Sequence, residues 1–230
     1  MGAAVSPTEW ATATAQQLLS RYGIVTREVA AAEGIAGGFS AVYNVLKAME
    51  DAGRVRRGYF VSGVAATQFA LAPALELLRT LRDMPEAAEV VLLAATDPAN
   101  PYGTMLHWPM DSAEGTDAAQ GRPTRTVGAV VILVNGALAA YISRGSRQLT
   151  VFLPEDEPAQ STVARALAAK LAGLGSSMLI AEVNGMPVGE HPLAPFLIHA
   201  GFNASAMGFQ IRRSPSPLAP ARLAGAMDSR

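Results

Sequence analysis

The stretch GGFSAVYNVLKAMEDAGRVRRGYF, residues 37–60, contains in order a helix, its stop and three arginines. Phe39, Val42, Val45, Leu46 and Met49 recur at the spacing of one helix face, and Gly53 ends the pattern with the residue best suited to a left-handed C-terminal turn. Ser40, Tyr43, Asn44 and Lys47 fall toward the other face. Val55, Tyr59 and Phe60 then supply strand-forming side chains, and Gly58 leaves room for a bend. A long helix with a polar side, followed by an arginine-bearing strand, is the pattern of the recognition helix and wing of a winged helix-turn-helix.

The residues upstream complete that motif. Thr8 is placed to cap a first helix over residues 9–21, with Trp10, Ala13, Leu18 and Leu19 as its apolar stripe and Gly23 as its end. Thr26 is placed to cap a short second helix over residues 27–33, and Gly34 to stop it. Ile35-Ala36-Gly37-Gly38 is then the turn.

Downstream the pattern changes. Ala72-Pro73 opens a helix rich in leucine (Leu75, Leu77, Leu78, Leu81), which reads as a packing helix. Residues 89–95 form a short apolar strand, followed by the turn-rich loop TDPANPYG at 96–103. The apolar run GAVVILV, the pair Asn135-Gly136 and the segment LAAYI predict a hairpin, because Asn-Gly suits the two positive φ angles of a type I′ turn. A turn at 144–147 leads to a third strand, LTVFL. An alanine-rich helix (158–172), a strand (178–183), a second Asn-Gly turn at 184–185, a short helix bracketed by Pro192 and Gly201, and a strand at 207–212 follow. The expected fold is α+β: a winged helix-turn-helix over 1–71, then a mostly antiparallel, β-barrel-like domain with packing helices over 72–213. A polar insertion near 112–124 interrupts that domain, and a flexible proline-rich tail occupies 214–230.

With 230 residues, 50% hydrophobic and 16% charged, the chain can bury a sizeable core. The absence of cysteine removes disulfides, thiolate metal sites and cysteine nucleophiles, and suits a reducing compartment. No apolar run approaches the roughly 20 residues needed to span a bilayer, and the start MGAAVSPTEW lacks the features of an export signal, so a cytoplasmic protein without membrane contact is expected. The net charge of −1 conceals a segregation. Residues 21–60 carry six basic side chains (Arg21, Arg27, Lys47, Arg54, Arg56, Arg57) against four acidic ones, whereas residues 83–122 carry seven acids and only Arg122. A phosphate-facing surface belongs to the N-terminal part, and DNA is the expected partner. Ser40, Tyr43, Asn44 and Lys47 on the helix and Arg54, Arg56 and Arg57 beside it are the candidate DNA contacts. The alternative is a docking scaffold, with the arginines solvated or paired to Glu50 and Asp51.

Several stretches together carry a family resemblance: residues 21–71, then LAATDPANPYG with Trp108-Pro109, GAVVILVNGALAAYISRG and HPLAPFLIHAGF. They resemble, in order, the carboxy-terminal part of the large helicase-related (Lhr) proteins, superfamily 2 DNA helicases implicated in repair. The resemblance covers nearly everything from Leu18 to Arg212. It implies winged-helix and β-barrel modules that grip DNA behind an upstream pair of RecA-like motor domains, with ATP and magnesium as the cofactors of that motor. The terminal modules of long members further resemble bacterial DNA glycosylases acting on bulky alkylated bases.

The chain itself has no GxxxxGK[ST] phosphate loop and no Walker B segment, so no cofactor is expected here and the chain is not the motor. Opening at Met1 just ahead of its first helix, it reads as a detached or truncated module, with a separately encoded motor or further copies of itself as additional partners. Ser40 fails the G-x-S-x-G pattern, and His107, His191 and His199 lack zinc-ligand spacing, so neither a serine hydrolase nor a metal site is expected. The enzymatic alternative is base excision, which needs an extruded base and a carboxylate or amide to act on it. Its candidates are Asp97, Asn100 and Gln68, with Tyr102 and Trp108 for stacking. Against them stands the ordinary use of Asp-Pro and Asn-Pro as loop formers, and of tryptophan as a lid on a core. A protein-docking or oligomerisation module is the remaining alternative.

Overall fold

The computed structural model describes residues 6–82, 85, 87–109, 122–174 and 178–211. Most of the expected polar insertion and the whole proline-rich tail lie outside the described residues.

The N-terminal unit runs α1 (Pro7–Tyr22), β1 (Ile24–Val25), α2 (Arg27–Ala32), α3 (Gly38–Asp51), β2 (Arg56–Gly58) and β3 (Gln68–Ala70). The three strands pair antiparallel in the order β1-β3-β2. This is the winged-helix arrangement expected from residues 37–60. Ser6, not Thr8, caps α1: the Ser6 hydroxyl accepts from the Glu9 N–H (3.2 Å) and the Glu9 carboxylate from the Ser6 N–H (2.9 Å). The reciprocal pair decides the boundary, since it satisfies two donors at once and leaves Pro7 in the first turn, where no N–H is needed. Thr26 caps α2 as expected, accepting from Val29 N–H at 3.2 Å. Ala15, Leu18, Leu19, Val25, Val42, Leu46, Met49, Val55 and Phe69 close one core, each helix contributing the face its periodicity marked.

The helix α4 (Ala72–Thr80) departs from expectation. It buries none of its residues, and Leu77 and Leu81 are 60% and 68% exposed, so it is not the packing helix its leucines suggested. Only its start is engaged: Ala74 sits against Gly23, and the Leu71 N–H donates to the Gly23 carbonyl.

The second part is a six-stranded sheet in the order β10-β9-β7-β6-β5-β4. Its strands are β4 (Val90–Ala94), β5 (Val130–Val134), β6 (Ala137–Ile142), β7 (Gln148–Val151), β9 (Glu182–Val183) and β10 (Met186–Pro187). The expected meander is present, its first turn made by Asn135 (φ 50°) and Gly136 (φ 80°). The sheet is open, with β4 and β10 at its edges, so the barrel-like expectation holds only loosely. It is antiparallel except for β7 and β9, whose parallel pairing follows from the connection through α5 (Ala159–Gly173), which reverses the chain once more. The single strand expected over 178–183 is two short ones. Leu179–Ile180 (β8) pairs with β12 (Gly208–Gln210), which also pairs with the unforeseen β11 (Asn203–Ser205), while β9 joins the main sheet.

Both faces of the main sheet are covered, which is why β5 reads as an unbroken apolar run. Ile132 points to a core with Leu167 and Leu171 of α5 and Leu197 of α6 (Ala194–His199); Val131 and Leu133 point oppositely, toward Leu138, Tyr141 and Trp108. Met105, in the loop after β4, packs against the winged-helix core and joins the two parts. Among the described residues no helix is long and apolar enough to cross a membrane.

Candidate nucleic-acid interface

The exposed side of α3 carries Ser40, Asn44 and Lys47 at spacings of four and three, which puts them on one stripe. Tyr43 is half-buried and belongs partly to the core, in edge-to-face contact with Phe69 (6.0 Å) and beside Phe39 (5.9 Å). Gly37, with φ 78°, precedes α3 and supplies no side-chain cap, so the turn relies on backbone geometry.

The arginines diverge. Arg56 and Arg57 occupy successive positions of β2 and leave the ribbon on opposite sides. Arg57 turns back to Glu50 of α3 at 3.1 Å, the pairing that the docking alternative invoked for one arginine. Arg54 lines a groove of about 610 Å³ between α1 and α3, floored by Ala11, Ala41, Ala48 and Met49, while Arg56 is solvent-exposed.

The loop of residues 59–67, the wing, is shaped by two polar side chains. Gln68 is fully buried, and its amide serves four backbone groups: Oε1 accepts from the Phe60 and Val61 N–H (both 2.9 Å), and Nε2 donates to the Val61 and Ala65 carbonyls (2.8 and 3.1 Å). Glu28 at the start of α2 accepts from the Ala65 N–H at 3.0 Å. Burial pushes the Glu28 carboxyl upward, but its own N–H, the Thr26 hydroxyl, the Ala65 N–H and the Arg27 charge together outweigh that effect. They hold it below the ordinary carboxylate value. Fixed in this way, the wing loop faces the first turns of α3 across a cleft of about 590 Å³, where Arg27, Phe39, Ser40, Tyr43 and Asn44 meet residues 65–67. Arg27 and Phe39 were not singled out from the sequence as contacts. The signal available was the place of Arg27 directly after the Thr26 cap, one residue before the acid that holds the wing.

Asp97 and Asn100 lie apart from this cleft, in the loop after β4. The Asp97 carboxylate accepts from the Ala99 N–H (2.8 Å), the turn chemistry expected of Asp-Pro. Asn100 is fully buried; its amide donates to the Ala95 carbonyl (2.9 Å) and accepts from the Tyr102 N–H (3.1 Å). Arg125, unnoticed in the sequence, clamps the same loop by donating to the carbonyls of Asn100 (2.7 Å), Tyr102 (3.1 Å) and Asp97 (3.1 Å). Trp108 stacks on Tyr102 (6.2 Å), meets Tyr141 edge-on (5.6 Å) and lies so close over Gly103 that a Cβ there would be 2.7 Å from its indole nitrogen. The Tyr102 hydroxyl in turn accepts from the Leu138 N–H at 3.1 Å. His191 is buried, and its Nδ1 accepts from the Leu193 N–H (3.1 Å); burial lowers its pKa. His107 and His199 are exposed.

Fold and surface thus define a winged-helix domain joined to an open-sheet α+β domain. Residues 4–90 match the family described as large helicase-related protein, winged-helix domain. The N-terminal unit thus matches an Lhr winged-helix domain, and the chain as a whole resembles one segment of Lhr helicases. It is 45% identical over 76% of its length to a Mycolicibacterium smegmatis protein named Lhr helicase/probable uracil glycosylase. It is 35% identical over 89% of its length to an Escherichia coli protein named Lhr helicase/uracil glycosylase. The chain spans only 11% and 13% of the lengths of these relatives.

Proposed function

We propose that the chain is a DNA-binding accessory module of the Lhr type, without motor or cofactor of its own, that engages DNA in repair largely without regard to sequence. The observation that carries this reading is the polar stripe of α3, Ser40, Asn44 and Lys47, set beside a wing fixed by Gln68 and Glu28 and rimmed by Arg27. Hydroxyl, amide, ammonium and guanidinium groups on one exposed face suit phosphate oxygens, and such contacts give affinity that falls with salt and carries little sequence information. In the cell the module works in the cytoplasm beside a motor supplied by another polypeptide or by the rest of a longer one.

The test is fluorescence anisotropy of single- and double-stranded DNA across a salt series. Binding should weaken steeply with salt and vary little between sequences. Changing Arg54, Arg56 and Arg57 together to Glu should abolish it at physiological salt; unchanged affinity would remove these arginines from the interface.

Base excision is the second reading, favoured by the glycosylase names of both relatives. Asp97 is its best-placed carboxylate, since one of its oxygens is outside the loop's hydrogen bonds among the described residues. Incubating the chain with uracil-containing strands, followed by alkali, tests it: no cleavage at uracil would sink this reading and leave the first intact.

A further inference from the structure

We infer that the cleft between α3 and the wing loop receives a single unpaired nucleotide, its base against Phe39 and Tyr43 and its phosphate at Arg27. This rests on the DNA-binding reading and adds the form of DNA that the site selects.

Size is the first argument. A recess of about 590 Å³ is in the range of small-ligand sites, and it is closed on one side by a loop held at both Glu28 and Gln68. A base pair still in its duplex cannot enter such a recess, whereas one nucleotide lifted out of the stack can. Aromatic surface is the second. Phe39, Tyr43 and Phe69 form a three-ring cluster with centroids 5.9, 6.0 and 6.3 Å apart. Phe69 is fully buried and anchors the other two, which are half-buried and line the cleft. Rings fixed from behind lose little freedom when a base lies on them, and a π-face accepts any base.

Polar placement is the third. Ser40 and Asn44 bring a hydroxyl and an amide to the rim, suited to the hydrogen-bonding edge of an unpaired base. Arg27 stays outside the ion pairs of the described residues, Arg21–Glu33, Arg57–Glu50 and Arg79–Glu76, and is exposed at the same rim. The groove between α1 and α3 has similar volume and also touches Asn44, but no aromatic ring of the described residues lines it, so stacking singles out the wing cleft.

Two duplexes of equal length test this, one fully paired and one with a single unpaired 2-aminopurine, using anisotropy for affinity and the fluorescence of the probe base for its environment. The bulged duplex should bind about tenfold more tightly than the paired one, the scale of one base stacked on an aromatic side chain. Its probe fluorescence should also change on binding. Ala66→Trp, on the exposed part of the loop, fills the cleft without touching the core, and should bring the ratio of the two affinities to about one. Equal affinities for the wild-type chain, or a preference that survives Ala66→Trp in a variant with an unchanged circular dichroism spectrum, would overturn the inference and leave general DNA binding standing. Failure to bind either duplex at low salt would overturn both.

Discussion

The wing loop and the loop after β4 are built by the same device and end in opposite surfaces. Each is shaped around a fully buried side-chain amide, Gln68 in one and Asn100 in the other, that bonds to the loop's own backbone. In the loop after β4, Arg125 ties up three backbone carbonyls and the Tyr102–Trp108–Tyr141 cluster turns the aromatic rings inward, toward the sheet. In the wing, the loop stands off α3, and half-buried rings, a hydroxyl, an amide and a guanidinium are left around an open cleft. A buried amide therefore reports how a loop is made. Binding depends on what the finished loop leaves facing water.

Substitutions can break or sharpen this contrast. The largest effect is expected at the shared anchor of the winged-helix core and the cleft: Phe69→Ala should cost about 3–5 kcal/mol in urea unfolding, because the residue is fully buried among Leu46, Val25 and two other rings. Gln68→Ala should cost about 2–3 kcal/mol by orphaning backbone groups at Phe60, Val61 and Ala65, and should also weaken DNA binding in anisotropy as the wing loosens. Asn100→Ala should cost about 2 kcal/mol yet leave DNA affinity unchanged; a matching loss of affinity would mean the two loops form one site.

Acid should loosen the wing through Glu28. The Glu28 carboxyl has its folded-state pKa depressed, so its contribution is fully present above the ordinary carboxylate value and is lost as pH falls through the folded one. The amide resonance of Ala65 should shift in that window while those of Tyr102 and Leu138, which donate to uncharged side chains, stay still, and Glu28→Ala should remove the transition at a cost of about 1 kcal/mol. The smallest effect is expected from Glu50→Gln. Exposed ion pairs contribute about 0–1 kcal/mol, so stability should barely change, while release of Arg57 should raise DNA affinity slightly.

The sequence by itself determined the winged helix, because its signals are local. Apolar residues at helical spacing in 37–60, the Thr26 cap and the glycine stops each act within one turn of the chain. The same holds for the hairpin at Asn135-Gly136, where two positive φ angles require that dipeptide. Local reading failed where the outcome depended on distant partners. The leucines from Leu75 to Leu81 look like a packing face, and only the fold shows that Leu77 and Leu81 stay exposed. The strand at 178–183 divides because β12 and β7 compete for its two ends, and the sheet remains open because β4 and β10 lie at opposite edges. The candidate site divides in the same way. The stripe Ser40, Asn44 and Lys47 was legible from helical spacing, but three neighbouring arginines could not be assigned to three separate surroundings until α1, α3 and β2 were in place. Only the tertiary structure decided which polar groups remain free, since an amide or a guanidinium is available to a ligand only after the backbone around it has been satisfied.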